Sequence, residues 1–140
     1  MRNEIYALRE KLQTGGYTCV VRLKAEESCS LERGVKPLLS LLQEKGEGCG
    51  LMAADKTVGA GAAHLYVLLG VRAVWANVIS ESAVRILKEN GIEVVYGELV
   101  SYIINRKGDG VCPIEKAVEK AQSSQEAYSL IIKALENLRK

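Results

Sequence analysis

The chain has 140 residues, enough for one domain with a real core and short for two. Lys and Arg number 19 against 17 Asp and Glu, a formal charge of +2, so no concentrated basic field marks a nucleic-acid binder. With 48% apolar and 26% charged residues the chain reads as soluble and globular; with no Phe and one Trp it lacks base-stacking platforms, and a single His, His64, excludes any histidine-rich metal site.

No stretch approaches the ~20 apolar residues of a membrane helix. Met1 to Glu10 carries charges of both signs, so no signal peptide is expected. Cys19, Cys29, Cys49 and Cys112 are widely spaced, without a C-x-x-C pair. This pattern suits reduced thiols in the cytoplasm, and neither zinc nor another cofactor is expected.

The first predicted helix spans Asn3 to about Gln13, with Ile5, Leu8 and Leu12 on one face and Gly15-Gly16 as its stop. Thr18–Leu23 is β-branched and strand-like. A charged turn, Lys24 to Glu27, leads to a second short strand at Ser28–Leu31, and the two form a hairpin. Val35-Lys36-Pro37 opens a helix that Gly46 ends. Leu51–Ala54 is a short apolar strand, Asp55–Gly61 a loop and helix start, and Val58–Leu69 helical. Ala73–Ile79 is a strand, Ser80 caps a helix from Glu81 to Asn90, and Ile92–Tyr96 is a further strand. Val100–Ile104 fits a short helix slightly better than a strand. Asn105–Gly110 is a polar, glycine-rich loop. Cys112-Pro113 starts another helix, and Ser123-x-x-Glu126 is a capping box for the last one.

Strand–helix–strand units of this length imply right-handed parallel crossovers. The expected fold is therefore α/β, a single domain over residues 1–140. It is a three-layer α/β/α sandwich with an N-terminal β-hairpin, a mixed, mostly parallel sheet and helices on both faces. A helical extension covers about 112–140.

Ligands of such sheets sit beyond the C-terminal ends of the strands, which singles out Asp55–Gly61, Asn77–Glu81 and Gly97–Glu98. At Asp55-Lys56-Thr57-Val58-Gly59-Ala60-Gly61, Gly59 and Gly61 let a ligand approach the backbone, helix-start amides attract anions, and Lys56 adds positive charge. The spacing is no Walker loop and only half a dinucleotide fingerprint, and tight helix–sheet packing explains the small residues equally well. Cys112 at a helix N-terminus has the setting of an activated thiol, with Glu115 in the same first turn; a purely structural helix start is the plainer alternative. Asn105 and Arg106 can hold a phosphate or carboxylate or simply form a solvated turn, and Lys36 poses the same choice. His64, inside a helix, lacks a Cys or acidic partner at helical spacing and is read as a core or surface residue.

Taken together, Gly34-Val35-Lys36-Pro37-Leu38, Ala54-Asp55-Lys56-x-Val58-Gly59, Ile79-Ser80-Glu81-x-Ala83, Asn105-Arg106-x-Gly108 and Cys112-Pro113-x-Glu115 resemble, in this order, a small prokaryotic family of unknown function. The resemblance implies a cytidine-deaminase-like fold. It does not carry deaminase chemistry, which uses H-x-E at one helix start and P-C-x-x-C at the next. The equivalent starts here are Gly34–Pro37, which offers Lys36, and Asp55–Gly61, which has no cysteine. The chain also departs from the family pattern at Ala60, where a lysine is expected.

Two functional readings follow. One is a zinc-independent enzyme-like domain with Asp55, Lys56, Cys112 and Glu115 as catalytic residues. Lys36, Gly59, Gly61, Ser80, Glu81, Asn105 and Arg106 would hold a small anionic ligand, a nucleotide-like one among the candidates. The other is a non-catalytic ligand-binding or interaction module. A homo-oligomer, most simply a dimer, is expected on base rates, with no nucleic-acid or membrane partner.

Overall fold

The i, i+3, i+7 spacing of Ile5, Leu8 and Leu12 winds the N-terminal segment into α1 (Arg2–Gly15), whose apolar face is buried. In the computed structural model, which describes residues 2–32, 34–104, 108 and 110–138, the helix exits through Gly16 in a left-handed conformation. The chain then enters the hairpin β1 (Cys19–Leu23) and β2 (Glu26–Ser30). Its turn is Lys24-Ala25 alone, with Lys24 at positive φ, so Glu26 and Glu27 lie in β2. Glu27 is held there by the Arg22 guanidinium, 2.9 Å away across the hairpin.

After α2 (Lys36–Lys45) come two strand–helix units and a final strand: β3 (Met52–Val58), α3 (Ala60–Leu69), β4 (Ala73–Ser80), α4 (Glu81–Glu89) and β5 (Glu93–Val100). Pro37 sits in the first turn of α2, where its missing N–H costs nothing. The strands form one mixed sheet in the order β2-β1-β3-β4-β5. β1 is antiparallel to β2 and β3, and β3, β4 and β5 are mutually parallel. α1 covers one face with Ile5, Leu8 and Leu12 against Val20, Met52, Ala54 and Trp75. The larger core lies on the other face, under α2, α3 and α4. α5 (Pro113–Ala117) and α6 (Ser124–Leu138) close the chain, and α6 packs on the outer side of α3 through Ala127 and Ile131.

Two elements differ from the sequence expectation. Asp55, Lys56 and Thr57 belong to β3 rather than to a loop, because that strand is paired on both sides: Asp55 faces Cys19 of β1 and Ala76 of β4. Two-sided pairing overrides the polar composition of the stretch. Val100–Ile104 is not helical. β5 runs on to Val100, opposite Ser80, and Ile104 then bridges to Val111 in antiparallel fashion. β-branched residues at 100, 103 and 104 suit that extended path. The Ser123 hydroxyl caps the last helix as expected, accepting from Glu126 N at 3.1 Å.

Because α6 buries Ile131 completely, it belongs to the core rather than to a loose tail. Ile131→Ala is expected to cost about 2–5 kcal/mol, whereas Leu138→Ala, at an exposed position, should change stability by less than ~0.5 kcal/mol. Urea unfolding midpoints of the two variants check this; equal small shifts would mean that α6 is not part of the cooperative unit.

Candidate functional site

α3 is apolar all round, and nine of its ten residues are buried. The N–H groups of its first turn therefore need acceptors from within the protein. The N-cap residue, Gly59, has no side chain to offer. The acceptor comes from 55 residues away: Glu115 Oε1 accepts from Ala60 N at 2.7 Å, and Glu115 Oε2 from Gly61 N at 2.9 Å. A carboxylate there also meets the positive end of the α3 dipole. A Cβ on Gly59 would stand 2.3 Å from Glu115 Cδ, and one on Gly61 would stand 2.6 Å from Ile114 Cγ2. Glycine at both positions thus admits α5 to the start of α3. Glu115 serves a neighbouring helix rather than its own, since α5 has only five residues and α3 has ten.

A second polar cluster is dry. The Tyr66 hydroxyl donates to Asp55 Oδ2 at 2.7 Å, Thr57 N donates to Asp55 Oδ1 at 3.2 Å, and Cys19 Sγ lies 3.6 Å from the Tyr66 oxygen. Burial pushes the Asp55 carboxyl up to about 7, against the hydrogen bonds from Tyr66 and from the Thr57 and Lys56 backbone. Burial, with the charge of Asp55 added, also raises the Cys19 thiol and the Tyr66 phenol well above their ordinary values, so both stay protonated at neutral pH.

The third arrangement is an open cleft of about 1840 Å³ between the outer faces of α3 and α4 and residues of the segments 101–103 and 110–125. His64 reaches it from α3 and Arg85 from α4. His64 Nδ1 lies 3.1 Å from Ser124 Oγ at the start of α6. Burial, helped by the Arg85 charge, lowers the imidazole pKa and so favours the neutral ring. Neutral histidine both donates and accepts, a flexible pairing for a polar ligand.

The residues singled out from the sequence divide among these places. Glu81 and Glu115 line the cleft, while Lys36, Asp55, Lys56, Gly59, Gly61, Ser80 and Cys112 are not among its described lining. Ser80 is buried and caps α4, accepting from Ala83 N at 3.2 Å. Lys36 and Lys56 are exposed, and Cys112 is the half-buried N-cap of α5. Asn105 and Arg106 lie outside the described residues. The residues at the two helix starts do not fit the zinc ion of a deaminase: α2 opens on Val35, Lys36 and Pro37, α3 opens on Gly59, Ala60 and Gly61, and the carboxylate at the start of α3, Glu115, is engaged by two amides. Among the described residues no three His, Cys, Asp or Glu side chains gather closely enough to hold a metal ion. Sequence reasoning missed Tyr66, Ser124 and Arg85. The hint for Tyr66 was an acid in a buried strand, which requires a partner. Nothing local to Ser124 or His64 signals their meeting across 60 residues.

The family described as a domain of unknown function, DUF1893, matches residues 7–135. Among solved structures, a DUF1893 family protein from Thermotoga maritima superposes with a TM-score of 0.87 at 22% identity, over 95% of this chain and 90% of that one, which establishes the shared fold. A second, NE0047 in complex with 2,6-diaminopurine, reaches a TM-score of 0.40 at 11% identity, over 93% of this chain and 76% of that one. No curated protein matches significantly.

Two measurements test this geometry. Glu115→Ala leaves the α3 amides without their acceptor and should cost about 2–4 kcal/mol, with Glu115→Gln in between; a loss below ~0.5 kcal/mol in urea unfolding would refute the latch. For Asp55, the folded pKa lies above the ordinary value of 3.8, so between there and about 7 the folded state holds a proton that the unfolded chain has lost. Its contribution to stability therefore falls as pH rises through that window and is flat above it. Asp55→Asn should remove the fall and gain on the wild type from pH 4.5 to pH 8. A stability difference unchanged between those two pH values would contradict this.

Proposed function

The chain belongs to the DUF1893 family, and we propose that it is a ligand-binding domain that takes a small polar molecule into the cleft between α3, α4 and the C-terminal segment. One observation carries the reading. His64 and Ser124, 3.1 Å apart, present hydrogen-bonding groups on a cleft wall that also bears Arg85. Concave sites with a few convergent polar groups are where small ligands bind. The cleft exceeds the ~300–1,000 Å³ usual for one small ligand, so a ligand would fill part of it.

The described lining carries five carboxylates, Glu47, Glu81, Glu89, Glu115 and Glu119, against Arg85 and Lys116. That balance supports a neutral or cationic ligand over the anionic one expected from the sequence, since the anion-attracting start of α3 already holds Glu115. The enzyme reading draws less support, because Glu115 is committed to backbone amides and Asp55 to buried Tyr66. We read the domain as acting in a reducing compartment, the cytoplasm, and as a dimer. Its four free thiols support the first, and no helix among the described residues is long and apolar enough to cross a membrane.

The test is thermal-shift screening with neutral, cationic and phosphorylated small molecules. A true ligand at ~100 times its Kd should stabilise the protein by about 2.7 kcal/mol, and His64→Ala should abolish the shift. If no compound shifts the wild type, or if that variant keeps the full shift, the cleft is not the binding site.

A further inference from the structure

A second hollow, of about 430 Å³, lies between the end of α2 and α6. It shares Glu47, Leu68 and Gln125 with the cleft, so the two open into each other. The junction stands beside the His64–Ser124 pair. Leu68 follows His64 by one turn of α3, and Gln125 follows Ser124 in α6. Leu42, Leu68 and the Tyr128 ring give the hollow an apolar body. Leu68 is buried, and Leu42 and Tyr128 are half-buried against the main core, so packing fixes these walls. The described lining of the hollow holds one charged side chain, Glu47, at its mouth. Among the described residues Glu47 has no ion-pair partner. Its nearest basic neighbour along the chain, Lys45, is turned to Glu26 at 3.8 Å and to Glu44 at 3.7 Å.

We infer that the ligand of this site is an amphipathic organic cation, an amine carried on an aromatic or branched aliphatic group. This rests on the cleft-binding reading above and names its ligand class. The apolar group fills the hollow among Leu42, Leu68 and Tyr128, where its surface leaves water and a ring can pack on the Tyr128 ring. The ammonium stops at the mouth, where Glu47 supplies the opposite charge and the Gln125 amide a further acceptor. A hydroxyl or amide beyond the ammonium continues past Gln125 to Ser124 and His64. Two observations select this class. A lone carboxylate at the mouth of an otherwise uncharged hollow repels anions and favours cations over neutral molecules. The hollow also has the size of an ordinary ligand pocket, ~300–1,000 Å³, whereas the cleft alone, at about 1840 Å³ and open, is too wide to enclose a small polar molecule.

Isothermal titration calorimetry of the full chain at neutral pH tests the inference with a set of related probes. Phenylalaninol has the ring, the ammonium and a hydroxyl. Ethanolamine lacks the ring, 3-phenyl-1-propanol lacks the charge, and 3-phenylpropanoate reverses it. Phenylalaninol should bind at least about tenfold more tightly than each of the others. Glu47→Gln, at an exposed position, should remove its advantage over 3-phenyl-1-propanol. Tyr128→Ala should weaken both, with far-UV circular dichroism as the folding control. Equal affinity for phenylalaninol and either ethanolamine or 3-phenylpropanoate overturns the inference, as does an unchanged phenylalaninol Kd in Glu47→Gln. These comparisons decide the matter should Tyr128→Ala not fold. If no probe binds, the inference is overturned, and the cleft reading falls with it only if the wider thermal-shift screen also finds no ligand. A ligand that depends on His64 but not on Glu47 or Tyr128 upholds the cleft reading and overturns this one.

Discussion

A helix buried on every side can begin only where another part of the chain supplies its missing hydrogen bonds. In this fold that supply is the Glu115 carboxylate at the start of α3. α3 touches α2, α4, α5 and α6, and its inner face covers the sheet. Every layer outside the sheet on that side is therefore positioned by a helix whose first turn depends on one side chain from α5. The dependence runs both ways, because Gly59 and Gly61 must stay bare for α5 to approach. Two glycines and a glutamate, distant in sequence, form one packing device, and it makes the C-terminal segment part of the domain rather than an appendage.

The same device sets the electrostatics of the cleft. A helix N-terminus at the end of a parallel strand attracts anions when it is open. Filled by its own carboxylate, it loses that property, and the remaining charge on the described cleft wall is mainly acidic. A near-neutral chain of formal charge +2 thus carries a locally negative groove, which whole-chain composition cannot reveal.

The layers and most element boundaries were legible because they rest on local signals. The spacing of Ile5, Leu8 and Leu12, Pro37 in a first turn, and the capping box at Ser123 each act over a few residues. What sequence misjudged depended on neighbours. Asp55 and Thr57 read as loop because they are polar, yet pairing with β1 and β4 makes them strand. Glu115 read as a catalytic candidate or as part of its own helix start, whereas its partners lie 55 and 54 residues back. Asp55 and Glu115 were both singled out from the sequence. Where each would point was invisible, since both directions are set by how α3 packs.

α3 also explains why the polar groups divide into an inner cluster and an outer one. His64 and Tyr66 are two residues apart, about 200° around a helix of 3.6 residues per turn, so they leave it in opposite directions. Tyr66 goes inward to Asp55 and Cys19, and His64 goes outward to Ser124 and the cleft. The inner cluster is sealed under Tyr66, which has no exposed surface. Reaching it would require unpacking the most buried helix in the fold. Recognition of any molecule in the cleft therefore falls to the outer face of α3, to α4 and to the C-terminal segment, while Asp55 is confined to the junction of β1, β3 and α3, where protonation alters stability rather than contact with a ligand.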